Sequence, residues 1–288
     1  MVNEIRLEQN EELKGLIKNF NDKKIARAVY NCKQKFFMSS ELKTELAFLR
    51  YIFDHPEEYQ WSSPIAHLIP RDPEFTAADD SSLYAAGGYY YDLKFWLYFY
   101  WPPEVQQRTL KYFTVKVKDP DSPSLISIYL LEYATIIVTY AAATTALLQE
   151  PSLHQSPNPY PTLLLKADNM SALSWMRKAA NTTPAGRALS RLLCSIQINN
   201  RLGLNGGFIS SVENFTADSI SRYLPSTSSV TPCYSSLFQE HPRLELCRMF
   251  QMSSEMQSCL LHALLLGQKV DTPLPRMLGH FVAAKNST

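Results

Sequence analysis

The run ISIYLLEYATIIVTYAAATTALL, residues 126 to 148, carries a single charge, Glu132, across its whole length. A helix that apolar on every side must be surrounded, either by lipid or by protein. Glu132 and the scattered Ser, Thr and Tyr side chains favour the core of a folded protein over a membrane span. Ser122-Pro123 supplies a cap and a first-turn proline, so the sequence predicts a helix from about 124 to 148. Its one carboxylate then needs a reason to be there, because an unpaired buried charge is costly.

A second carboxylate raises the same question. In LLLKADNMSALSW, Leu163 to Trp175, a short apolar strand runs into Asp168 and Asn169, and a helical pattern follows. Such an acid requires a partner, a hydrogen bond or a cation.

The rest of the chain frames these two features. Residues 1 to 60 read as helical, and Trp61 to Pro73 as a proline-rich loop. A strand is expected near Phe75. YYYDLKFWLYFYW reads as two strands joined near Asp92-Leu93-Lys94 and ended by Pro102-Pro103. Thr183-Pro184 opens a helix with Leu189, Leu192, Leu193 and Ile196 on one face, and Arg187 and Arg191 on the opposite one. Gly203, Gly206 and Gly207 interrupt the chain before a short strand at Phe208-Ile209, and Asn214 to Tyr223 is a short helix. Pro225 to Pro232 reads as a Ser/Thr/Pro linker, with a helical segment over 242 to 268. The order of elements predicts an α/β fold, a mixed sheet flanked by helices.

Bulk composition selects no partner. The net charge is +1, so any nucleic-acid contact must come from local clusters of Lys and Arg. Five cysteines with no CxxC spacing argue against a zinc site or a disulfide framework. They point to a reducing, intracellular compartment, cytoplasmic or nuclear. The first residues are acidic and polar and show no signal segment.

Two more acids punctuate apolar elements as Glu132 and Asp168 do. Asp80 follows the first strand, and Asp218 sits in ENFTADSISR. Each has an ordinary reading: a turn residue for Asp80, a helix N-cap for Asp168, a first-turn acid for Asp218. As a set they are candidates to converge at one edge of a sheet. Two such charges at ~4 Å repel by roughly 4 kcal/mol at an effective dielectric of 20. Protonation or cations must then hold them together, and all-oxygen ligands suit magnesium or manganese. Two such ions can activate water and stabilise a leaving oxygen on a phosphate.

The set and its surroundings resemble a known family. DSSLYAAGGYYYDLKFWLYFYWP, ISIYLLEYATIIV, LLLKADNMSALSWMRKA, GRALSRLLCSIQINNRLGLN and SSVENFTADSISRYLP are similar to the RNase H-like domain of retroelement reverse transcriptases. They are most like the tyrosine-recombinase (DIRS-like) retrotransposon group. The resemblance covers roughly 61 to 224 and implies an RNase H-like five-stranded mixed sheet. It makes 1 to 60 a helical connection segment and 225 to 288 a linker with a helical C-terminal extension. It implies Asp80, Glu132, Asp168 and Asp218 as catalytic residues and ligands of two Mg2+ or Mn2+ ions, with Asp79 the competitor of Asp80. Ala167 stands where relatives often carry Thr, and Ile209-Ser210-Ser211 where they often carry Pro-Gly; neither change removes a ligand.

The implied function is hydrolysis of the RNA strand of RNA/DNA hybrids. No Tyr-x-Asp-Asp motif is present, so the chain reads as a fragment or relic of a retrotransposon polyprotein lacking its polymerase. Its implied partners are the hybrid and the polymerase and recombinase parts of the same element, with no membrane. Candidate nucleic-acid contacts are Asn169, Arg177, Lys178, Arg187 and Arg191, with Lys111, Lys116 and Lys118 as a second cluster. The alternative is a non-catalytic nucleic-acid or protein interaction module on the same fold.

Overall fold

The structure is a computed structural model that describes residues 40–54, 72–114, 125–149, 161–178, 181, 183–200, 202–224, 233–267 and 277–283. The chain divides into two compact units, Met1–His55 and Pro56–Thr288. In the first, the described element is helix α1, Ser40–Asp54, which buries Phe48.

The second unit is built on one mixed sheet. Its strands are β1 Phe75–Ser81, β2 Ala85–Tyr90, β3 Phe95–Tyr100, β4 Thr162–Ala167, β5 Gly203–Phe208, β6 Arg248–Met252 and β7 Gly279–Val282. Their order is β5-β4-β1-β2-β3-β6-β7. β1, β2 and β3 form an antiparallel meander, while β4 runs parallel to β1 and β5 parallel to β4. The helices are α2 Pro103–Thr114, α3 Ile128–Gln149, α4 Met170–Lys178, α5 Pro184–Asn199, α6 Phe215–Arg222, α7 Ser235–Glu240, α8 Pro242–Glu245 and α9 Ser254–Leu266.

The apolar helix expected over 124 to 148 is α3, and it lies at the centre. Its residues from Leu130 to Ala146 are all buried, packed among β1, β2, α4 and α5. Among the described residues it is the one helix long and apolar enough to cross a bilayer, and 94% of its apolar window is buried inside the protein. Each fully buried Leu, Ile or Tyr side chain of this kind contributes about 1.5–3 kcal/mol relative to exposure. Tyr133 and Tyr140 bring hydroxyls into that core, and both are satisfied, by Ser190 Oγ and by the Leu202 carbonyl.

Helix α6 packs on the opposite face of β1 and β2, and adjacent glycines of β2 make room on both sides. A Cβ on Gly88 would meet Thr139 Oγ1 of α3 at 2.9 Å, and one on Gly87 would meet Ser221 N of α6 at 2.5 Å. Successive strand residues face opposite ways, so each glycine lets one helix approach.

Several expectations are corrected. The sheet has seven strands rather than five, because β6 and β7 continue it past β3. The segment expected to be helical over 242 to 268 therefore contains a strand, Arg248–Met252, between α8 and α9. Its pairing with β3 overrides the weak helical pattern of RMFQM. The described residues after 232 thus belong to the sheet and its cover instead of forming a helical appendage. Pro102-Pro103 ends β3 as expected, but Pro103 also begins α2, which the sequence reading passed over. β5 runs Gly203–Phe208, so the three glycines lie inside a strand instead of ahead of one at Phe208-Ile209. Gly206 has its Cα against Met176 and Leu173 of α4, where a Cβ would not fit.

Candidate metal centre

Strand β1 carries Asp79 and Asp80 near its C-terminal end, and the pleat sends them to opposite faces. Asp79 pairs with Gly88 and faces α3. Asp80 pairs with Gly87 on the α6 side, where its Oδ2 accepts a hydrogen bond from Ser221 Oγ at 2.5 Å. Ser82 Oγ accepts the amides of Tyr84 and Ala85 in the β1–β2 turn and donates to the Ser221 carbonyl at 2.6 Å. Asn214 Nδ2 donates to the Asp79 carbonyl at 2.8 Å, so both ends of α6 are tied to β1.

Glu132 lies early in α3 and reaches the end of β1, where the Ser81 amide donates to it. Asp168 follows β4. Asn169 caps α4, its Oδ1 accepting the Ser171 and Ala172 amides at 3.0 Å each. The capping role open to Asp168 is thereby filled by its neighbour. Asp168 Oδ2 instead accepts from Ser211 Oγ at 2.7 Å.

Asp80, Glu132 and Asp168 each offer an oxygen, and these oxygens lie within 4.8 Å of one another. Asp80 is 4% exposed and Glu132 6% exposed. Burial is the largest cause pushing the Asp80 carboxyl up to about 6; the Ser221 hydroxyl opposes it, and the charges of Asp168 and Asp218 add to it. Burial likewise drives Glu132 well above the usual carboxylate range, reinforced by Asp80, Asp79 and Asp168. Glu132 Oε2 has no hydrogen-bond partner among the described residues. An unsatisfied buried oxygen inside a group of three acids has the chemistry of a ligand for a hard cation.

Asp218 is not among the three gathered oxygens but stands close enough for its charge to act on Asp80. It lies on α6, and its Oδ1 accepts from Arg222 Nε at 2.6 Å. Asp79, the competitor of Asp80, is fully buried, and among the described residues neither carboxylate oxygen meets a donor at full hydrogen-bond geometry. Burial pushes it well above the usual range, and Thr139 is its polar neighbour.

The expected nucleic-acid contacts separate. Lys178 and Arg177 are exposed at the end of α4, with Arg177 Nη2 donating to the Gly206 carbonyl at 2.6 Å. Arg187 is half-buried. Arg191 is 7% exposed, so the outward face expected for it is corrected. Helix α5 packs against both α3 and α9, and covering it on two sides leaves little of its surface to solvent. Asn169 is a helix cap, as described above. Lys111 is exposed on α2, while Lys116 and Lys118 lie outside the described residues.

Sequence reasoning missed Ser211, Ser221 and Arg222. Ser221 and Arg222 lie three and four residues after Asp218, the spacing that puts all three on one helical face. That spacing was the available signal. Among the described residues no disulfide joins Cys194, Cys233, Cys247 and Cys259, and Cys32 lies outside the described residues.

The fold and site thus define a mixed α/β protein in which three acids, Asp80, Glu132 and Asp168, are gathered and one oxygen of the buried glutamate is unsatisfied among the described residues. No family model, no curated protein and no solved structure matches the chain.

Proposed function

We propose that this protein is a metal-dependent phosphodiesterase of the RNase H type, hydrolysing the RNA strand of RNA/DNA hybrids. The observation that carries the reading is the convergence of one oxygen each from Asp80, Glu132 and Asp168 within 4.8 Å, with the Glu132 Oε2 left unpartnered among the described residues. Three acids from β1, α3 and the end of β4 have no structural need to meet. Five strands, β1 to β5, lie inside the stretch that carries the family resemblance and form a mixed sheet there, which supports an RNase H-like fold. The choice of a hybrid as substrate rests on that resemblance.

Asp80, Glu132 and Asp168 would hold Mg2+ or Mn2+; a second ion, as the resemblance implies, would draw on Asp218. The cation's chemistry is to acidify water and to neutralise charge on the phosphate. Ser221 holds the Asp80 carboxylate in place, and Ser211 does the same for Asp168. In the reaction a water oxygen forms the new bond to phosphorus, the bond from phosphorus to O3′ breaks, and water's proton passes to solvent. The departing 3′ oxygen takes a proton from solvent, and nothing is oxidised or reduced. Exposed Met170, Val212 and Phe215, within three residues of Asp168, Ser211 and Asp218 in the chain, offer apolar contacts for sugars and bases.

The test is cleavage of an end-labelled RNA/DNA hybrid with magnesium or manganese, with Asp168→Asn as the control. Metal-dependent cleavage that the substitution abolishes supports the proposal. A folded wild-type protein that leaves the hybrid intact with either metal would overturn it in favour of the non-catalytic interaction module.

A further inference from the structure

We infer that Arg222 is a built-in cation of this centre: held by Asp218, it takes the place of a second divalent ion and binds a phosphate oxygen of the nucleic-acid strand. The inference rests on the metal-dependent reading above and alters its ion count from two to one.

One stretch of α6 delivers three functional groups together. Ser221 reaches Asp80, Asp218 stands beside the cage, and Arg222 Nε donates to Asp218 Oδ1 at 2.6 Å. The guanidinium is close enough for its charge to act on Asp80 and for Asp80 and Asp168 to act on it. Its side chain is 68% exposed, and its two terminal nitrogens make no hydrogen bond among the described residues. A fork of free donors is thus anchored at one nitrogen next to the acids.

The three-acid cage satisfies one ion without Asp218, since a small divalent ion of this kind keeps several waters alongside one or two carboxylates. A second ion would have to share the Asp218 carboxylate with a guanidinium, and the two positive charges would repel at close range. Arginine cannot escape by losing its proton, so occupancy by one excludes the other. The planar fork also matches two oxygens of a phosphate better than a point charge does. Arg222 therefore supplies the positive charge expected of the second ion, in a place where it needs no free metal.

The test counts ions. The full-length protein, Arg222→Gln and Arg222→Lys are titrated with Mn2+ in the absence of nucleic acid, followed by calorimetry and by the paramagnetic resonance of free Mn2+. The expected result is one ion for wild type, two for Arg222→Gln and one for Arg222→Lys, which keeps the charge. Two ions in the wild type, or one in Arg222→Gln, would overturn the inference while leaving the metal centre standing. No bound ion in any of the three would remove the metal centre and the inference together. Binding of a labelled hybrid in chelator should weaken several-fold in Arg222→Gln and recover in Arg222→Lys; equal affinity in all three would remove the phosphate contact. Arg222 is exposed at a helix end, and unchanged melting temperatures accompany each titration as the check on folding.

Discussion

Ser221 Oγ donates to Asp80 Oδ2 at 2.5 Å, joining residues 141 positions apart and pinning the last turn of α6 to the first strand of the sheet. The bond fixes one oxygen of a carboxylate that would otherwise be buried and free to rotate. Groups that orient metal ligands in this way are worth 10–100-fold in affinity. Ser221→Ala should therefore weaken Mn2+ binding by at least about tenfold. Titration calorimetry on the folded variant checks this, and an unchanged affinity would remove Ser221 from the centre.

Stability without metal should depend on pH in an unusual direction. Asp80 is raised from 3.8 to about 6, and Glu132 and Asp79 are raised as well, each chiefly by burial. A raised carboxyl binds its proton more tightly in the folded state. Its contribution is fully present below the unfolded value and is lost as pH rises through the folded one. For Asp80 that window runs from about 4 to about 6 and is worth up to about 3 kcal/mol. In chelator the melting temperature should fall as pH rises across this range. Added Mg2+ should restore it more at pH 7.5 than at pH 5, because the ion competes with the protons. Thermal melts over a pH series with and without Mg2+ read this directly.

Asp79→Asn separates the two neighbouring aspartates. Asp79 is fully buried, and the Thr139 hydroxyl is the one group beside it that favours its charge. Removing its charge relieves a desolvation cost without touching the cage. The variant should gain about 1–2 kcal/mol over wild type at pH 8, with the gain shrinking toward pH 4 as Asp79 protonates in the folded protein. Hybrid cleavage should persist in Asp79→Asn and vanish in Asp80→Asn. The opposite pattern of cleavage would make Asp79 the ligand.

A chain ending at residue 224 should not fold cooperatively. Truncation there uncovers β3 and deletes Phe250, Met256, Leu260 and Leu264, all no more than 2% exposed. At about 1.5–3 kcal/mol each, these four alone approach the entire net stability of a domain, about 5–15 kcal/mol. Loss of a sigmoidal melt by circular dichroism is the expected outcome, and a sharp transition near that of the full chain would refute it.

The sequence determined a good deal of this protein. The near-absence of charge across α3 dictated a surrounded helix, and a lone Glu132 inside it dictated a special environment. The leucine strand running into Asp168 marked an acid at a strand end. Those inferences rest on local physics, the periodicity of apolar residues and the cost of burying charge, which a linear reading can see. The resemblance implies Asp80 rather than Asp79 beside Glu132 and Asp168; the pleat by itself says only that the two diverge. The register against Gly87 and Gly88, with α3 over one face and α6 over the other, settled which way each points. Only the tertiary structure showed that Arg191 is covered, that Asn169 spends its side chain capping α4, and that Asp218 answers to Arg222. It alone added β6 and β7 as well, since a five-residue strand is stabilised by its partner β3 across more than 140 residues of chain and leaves almost no periodic trace of its own.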